Sequence, residues 1–103
     1  MILIYVTYPS QEDARSISKK LLENKLVACA NIFPAHESLY WWEGEIENAQ
    51  EIAVIYKSRD ELFDQIKAQI ETLHSYDVPC IVALPIENGT PAFLKWIETE
   101  TEI

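Results

Sequence analysis

Glycine is nearly absent from this chain: there are two in 103 residues, Gly44 and Gly89. Loops of the GxGxxG or P-loop kind need closely spaced glycines so that backbone N–H groups can reach a phosphate, so those nucleotide-binding signatures are excluded. Cysteine is as scarce. Cys29 and Cys80 stand far apart and form no CxxC or zinc-knuckle spacing. The expectation is two reduced thiols packed as small apolar groups rather than a disulfide. Basic residues number 8 against 17 acidic, a formal net charge of −9. Phosphate neutralisation needs a basic surface, so no nucleic-acid partner is expected, and cations are the natural counter-species. No apolar run approaches the roughly 18 to 20 residues that span a bilayer. The start MILIYVTYPS lacks the basic flank and cleavage site of a secretory signal. The sequence therefore predicts a cytoplasmic protein with no membrane partner. There is no GxSxG, and no serine has a histidine at a recognisable triad spacing, so no enzymatic activity is expected.

Apolar residues are plentiful: 49% of the chain is hydrophobic and 11% aromatic, which predicts a folded protein, read as a single domain over residues 1–103. Residues 2–8 (ILIYVTY) form a first strand, closed by Pro9 and Ser10. Ser10 and Asp13 resemble a capping box, and Ala14, Ile17, Leu21 and Leu22 follow at helical spacing, giving a helix over about 10–24 that stops at Asn24. Residues 26–33 (LVACANIF) make a second strand, and 39–42 (LYWW) continue it after Pro34. EGE at 43–45 is a turn, and 51–57 (EIAVIYK) returns antiparallel as the other half of a long hairpin. Ser58 and Glu61 form an S-x-x-E capping box for a second helix over about 59–74, whose inner face is Leu62, Phe63, Ile66, Ile70 and Leu73. A fourth strand covers 80–86. Thr90 and Pro91 open a terminal helix with Phe93, Leu94 and Ile97 facing inward. The order βαββαβα predicts an α+β, ferredoxin-like sandwich with an extra C-terminal helix. Its strands are apolar on both faces, so the face without helices needs cover, and oligomerisation supplies it.

Three sets of residues carry candidate chemistry. His74, Tyr76 and Asp77 in LHSYDVP form the densest polar cluster. The histidine reads either as a metal ligand or as a cation favoured by the helix C-terminus. His36, in PAHES, reads as a solvated loop residue. Tyr40, Trp41 and Trp42 alternate between strand faces, so three aromatics in a row imply cover on both sides, and a subunit interface is the favoured reading over a stacked flat ligand. Glu43, Glu45 and Glu47 either gather divalent cations or form a solvated strand edge. Other carboxylates need no metal: Glu12, Asp13, Asp60 and Glu61 lie in first turns of helices, and Glu98, Glu100 and Glu102 in a fraying terminus.

ACAN at 28–31, YWWEGEIE at 40–47, the Glu51 to Lys57 strand, LHSYDVP at 73–79 and FLKWI at 93–97 together resemble, in order and spacing, the CutA divalent-cation tolerance family. The resemblance spans essentially the whole chain. It implies a ferredoxin-like protomer in a homotrimer that exchanges long hairpins between neighbours, a cytoplasmic role in divalent-metal tolerance, copper in particular, and no established catalysis. In copper-binding bacterial members of that family, a cysteine late in the first strand and two adjacent histidines at the helix end hold the metal. His74 matches the second histidine, while Leu73 and Val6 stand at the other two ligand positions. Asp77 and Cys29 are the remaining candidates beside His74 for copper or another divalent cation, with Cys29 equally readable as core. The trimer is also similar in plan to PII signalling proteins, which implies an intersubunit ligand cleft with Lys57, His74, Tyr76 and Asp77 among aromatic walls.

Overall fold

Alternation along the first strand decides which face of the sheet carries the core. The computed structural model describes residues 1–102, and in it β1 (Ile2–Tyr8) buries Ile2, Ile4, Val6 and Tyr8 on one side and turns Leu3, Tyr5 and Thr7 to the other. Antiparallel β4 (Glu45–Ser58) and β5 (Ile81–Pro85) flank β1, and β2 (Cys29–Ile32) extends the far edge of β4, giving the order β2-β4-β1-β5. Helices α1 (Gln11–Glu23) and α2 (Phe63–Leu73) supply Ala14, Ile17, Leu21, Ile66 and Ile70 to the same cluster as Ile4, Val6, Val54 and Tyr56. The result is a mixed α+β fold with an antiparallel sheet and three helices. Among the described residues no helix is long and apolar enough to cross a membrane.

The α1 boundaries follow the local chemistry. Ser10 Oγ accepts from the Asp13 N–H at 3.1 Å. At the other end Asn24 caps the helix, and the N–H groups of Lys25 and Leu26 reach back to the carbonyls of Leu22 and Leu21. This Schellman pattern sets Lys25 at φ 58 and sends the chain back toward the core. It also explains why the strand expected over 26–33 is shorter. Leu26, Val27 and Ala28 are buried as irregular chain, and only Cys29–Ile32 pairs.

The hairpin is longer than its apolar residues implied. Strand β3 (His36–Trp42) pairs with the first half of the 14-residue β4, and the turn between them is Glu43-Gly44 alone, with Glu45 already opposite Trp42. Positive φ at Glu43 (50°) and Gly44 (83°) is the signature of a type I′ turn, whose twist matches the two strands. His36 thus begins a strand rather than lying in a loop. The mostly polar stretch Glu45–Gln50 is strand too, because it pairs with β3, and the paired arm projects from the body: the chain measures 44 Å against 26 and 23 Å in the other directions.

Three further expectations change. Ser58 does not cap α2. It lies at the end of β4 and donates to the Leu26 carbonyl at 2.6 Å, so the helix starts through a 3-10 turn, Asp60–Leu62, after Arg59. In α3 (Pro91–Glu100) Pro91 does occupy the first turn, but Thr90 makes no side-chain cap. Ile97 is fully buried, whereas Phe93 is 42% exposed rather than inward. Thr101, just past α3, is held in place rather than lying in a frayed end. Arg59 donates from Nε to Thr101 Oγ1 and from Nη2 to the Thr101 carbonyl, at 2.8 and 2.9 Å, and Thr101 is fully buried.

Strand register leaves the second sheet face apolar. Leu3, Tyr5, Ala53, Ile55, Val82 and Leu84 share it, and Val82 and Leu84 stay 51% and 57% exposed. The arm carries aromatic rings on both sides, with Trp41 opposite Ile46 on one and Tyr40 and Trp42 opposite Glu47 and Glu45 on the other.

Candidate functional site

At the end of α2 the helix cap itself is the histidine. His74 donates its backbone N–H to Ile70, and its ring, only 8% exposed, turns inward between two tyrosines, stacked on Tyr8 at 4.9 Å and tilted against Tyr76 at 4.7 Å. Nδ1 lies 3.1 Å from the Tyr76 backbone N–H and so accepts from it. Nε2 must then carry the hydrogen, and it donates to the Thr7 carbonyl at 2.7 Å. Both ring nitrogens are engaged, so the ring has no free lone pair to offer a metal. The bond to Thr7 ties α2 to the end of β1, and the bond to Tyr76 fixes the loop that follows.

This clamp aims Tyr76. Its hydroxyl donates to Glu51 Oε2 at 2.9 Å, and Glu51, near the middle of β4, is nine-tenths buried. Burial and the carboxylate it serves push the Tyr76 phenol well above the ordinary tyrosine value, so it remains a proton donor. Around the pair opens a cleft of about 860 Å³ between the sheet's second face, the arm and the 75–80 loop, lined by Tyr5, Tyr40, Trp42, Glu51, Tyr76 and Asp77 among others. Cys80 also lines it. Burial, then the Glu51 charge, raises its thiol pKa, so the thiol holds its proton and is a weak nucleophile and metal ligand there.

The sequence-derived candidates separate on this frame. Tyr76 and Asp77 do share the cleft, with Tyr40 and Trp42 in its wall, but Lys57 does not. Its Nζ donates to Asn31 Oδ1 at 2.7 Å and lies 5.6 Å from the Phe93 ring centroid, at the β2 side of the sheet. Cys29 stands opposite Lys57 in the ladder, half-buried on that same side. His74, Asp77 and Cys29 therefore do not converge, and among the described residues no three His, Cys, Asp or Glu side chains are grouped to hold a metal ion. The donor set does not fit a chelated divalent cation. His36 Nε2 bonds Ser38 Oγ at 3.1 Å. Glu45 and Glu47 share a strand face while Glu43 occupies the turn. Neither cysteine matches the buried packing expected of both, since Cys29 is half-buried and Cys80 exposed.

Glu51 is the residue that sequence reasoning passed over, because a charged residue at a strand start ordinarily points to water. The one available signal was its position two residues before Ala53, on the face shared with Ile55 and Lys57.

Residues 2–100 match the model of the CutA1 divalent ion tolerance protein family. The chain is 52% identical over 99 residues, covering 96% of both sequences, to the divalent-cation tolerance protein CutA of Archaeoglobus fulgidus, and 41% identical over 102 residues, 99% of both, to that of Pyrococcus horikoshii. Among solved structures it superposes on the Archaeoglobus fulgidus protein, described as periplasmic, with a TM-score of 0.96 at 50% identity over 99% of this chain and all of that one. It superposes on the Thermus thermophilus protein with a TM-score of 0.96 at 41% identity over 99% and 100%.

Proposed function

Because this chain belongs to the CutA1 divalent ion tolerance family, we propose that it acts in divalent-cation tolerance as a cytoplasmic, non-catalytic homotrimer of ferredoxin-like protomers. Apolar surface left uncovered on one chain is the observation that carries the trimer: Trp41, Leu39 and Ile46 on the arm are 71%, 66% and 64% exposed, and the second sheet face is bare beside them. Single chains rarely leave a contiguous patch of this kind in water. An arm projecting from one protomer onto the bare sheet face of the next covers both in a closed ring. The sheet order β2-β4-β1-β5, with both helices of the core on one face, supports the ferredoxin-like reading.

Cation handling in this reading is electrostatic. Three chains at −9 give a formal charge of −27, which concentrates divalent ions around the assembly. Copper stands first among them, since Cu²⁺ binds nitrogen, oxygen and sulfur donors more tightly than its neighbours. Asp77 takes part as an exposed donor and Cys29 as a separate, half-buried one, and His74 serves by holding Tyr76 and β1 in place. Calorimetric titration with Cu²⁺ and Mn²⁺ tests this. Weak binding that falls with added salt, equal in wild type and His74→Gln, is expected. A stoichiometric copper site that disappears in His74→Gln contradicts it.

A second reading, a PII-like sensor or scaffold with a small molecule in an intersubunit cleft, is favoured by one observation: the cleft around Glu51 and Tyr76 already exists in a single protomer, next to the arm that a neighbour would contact.

A further inference from the structure

We propose that a second copy of this chain completes Glu51: in the assembly its carboxylate pairs with the partner's Lys57, once at each interface of a closed ring. The proposal rests on the homotrimer reading above and adds the contact that sets which surfaces meet.

Glu51 and Lys57 are opposite charges left without a counter-charge on the bare sheet face. They stand six residues apart in β4, and the two-residue period of a strand puts both on the side of Ala53 and Ile55. Glu51 is nine-tenths buried, and among the described residues no Lys, Arg, His or amino terminus lies within 4.0 Å of it. Its Oε2 accepts from the Tyr76 hydroxyl, which brings no charge. Lys57 Nζ likewise meets neutral groups, Asn31 Oδ1 at 2.7 Å and the Phe93 ring at 5.6 Å, and among the described residues no carboxylate lies within 4.0 Å of it. A carboxylate withdrawn from water without a cation is costly, and a neighbour that covers this face withdraws Glu51 further.

Elimination names the donor. Arg15, Lys19 and Lys20 lie on α1 and Lys67 on α2, the helices that cover the opposite face. Lys25, Arg59 and Lys95 are paired with Glu100, Glu61 and Glu98. His36 stands opposite Glu51 in the ladder, but its Nε2 bonds Ser38 Oγ at 3.1 Å. Lys57 is left, the one Lys or Arg on the face that needs cover. Among the acids near the cleft, Glu45, Glu47 and Asp77 are exposed and keep their water, so Glu51 is the anion that gains most from a cation.

Distance makes the pair intermolecular. Six residues of strand separate the two Cα atoms by about 20 Å, more than both side chains together can span. In a closed ring every interface joins two different patches of the same chain, so each protomer offers Lys57 to one neighbour and Glu51 to the other.

A double-mutant cycle on the full chain tests this, with Glu51→Gln, which keeps the acceptor for Tyr76, and Lys57→Met, which keeps an apolar stem beside Phe93. Light scattering over a dilution series, in the urea concentration that half-dissociates the wild-type trimer, reads the association constant. Each single variant is expected to lower it by at least about a thousandfold, about tenfold at each of three identical interfaces, and the double variant to lower it no further. The exchanged pair, Glu51→Lys with Lys57→Glu, is expected to recover trimer that Lys57→Glu alone loses. Glu51→Asp, which draws the charge back by one methylene, replaces Glu51→Gln in the cycle if the amide does not fold. Losses that multiply in the double variant overturn the pair and leave the trimer, as do single variants that associate like the wild type. A wild-type mass of one chain in buffer without urea overturns the trimer and the pair with it.

Discussion

Replacing His74 by alanine is expected to lower the free energy of unfolding by about 3 kcal/mol and to leave copper titration unchanged. The loss has three parts. The Thr7 carbonyl and the Tyr76 N–H each lose a partner, at 2.7 and 3.1 Å, and both lie where water does not readily replace it. The ring also leaves a void between Tyr8 and Tyr76. Tyr8 in turn is fully buried and shares a 2.6 Å hydrogen bond with Tyr56, which meets Ser18 at 2.8 Å, so loosening Tyr8 reaches the centre of the core. His74→Gln, whose amide both donates and accepts, should recover part of the loss. Urea denaturation at a fixed chain concentration measures the difference. A histidine serving as a metal ligand would behave in the opposite way. Its removal would abolish the metal response and change stability little, and that pattern would displace the clamp described above.

The second large effect concerns the arm. The double substitution Trp41→Ser and Trp42→Ser is expected to convert the proposed trimer to folded monomers. Trp41 is 71% and Trp42 46% exposed on the single chain, so neither is part of the protomer's own core, and the far-ultraviolet circular dichroism should keep its α+β shape. Burial of two indoles in an interface is worth roughly 3 kcal/mol each. Their loss per chain corresponds to a roughly 10⁴-fold weaker association. Light scattering at micromolar concentration reads the change directly. A double variant that stayed trimeric would remove the aromatic arm from the interface.

These effects differ in how far the sequence discloses them. β1 and α1 are legible because their signals are local. Pro9 and Ser10 end the strand, the Asp13 N–H finds Ser10, and Ala14, Ile17 and Leu21 repeat on one helix face. The first half of β4 is not legible, since Glu45–Gln50 is polar and becomes strand only by pairing with β3 out on the arm. Leu26–Ala28 misleads in the opposite sense: it is apolar enough for a strand, yet the left-handed Lys25 delivers it as a buried connection. At the site, the cluster His74, Tyr76 and Asp77 is visible in the sequence, but the partner that decides the role of His74 is a carbonyl 67 residues away. Spacing cannot reveal such a contact. Glu51 is hidden for a related reason, because its burial comes from the 75–80 loop and the arm closing over it.

The single measurement that bears most directly on this account is the solution mass of the wild-type protein by multi-angle light scattering at physiological salt. A mass of about 36 kDa, three times the 11.9 kDa of one chain, is the expected result, because in the proposed trimer neighbouring copies cover the arm and the bare sheet face together. A mass of 11.9 kDa under the same conditions would contradict it and return Tyr40, Trp41 and Trp42 to the surface of a monomer.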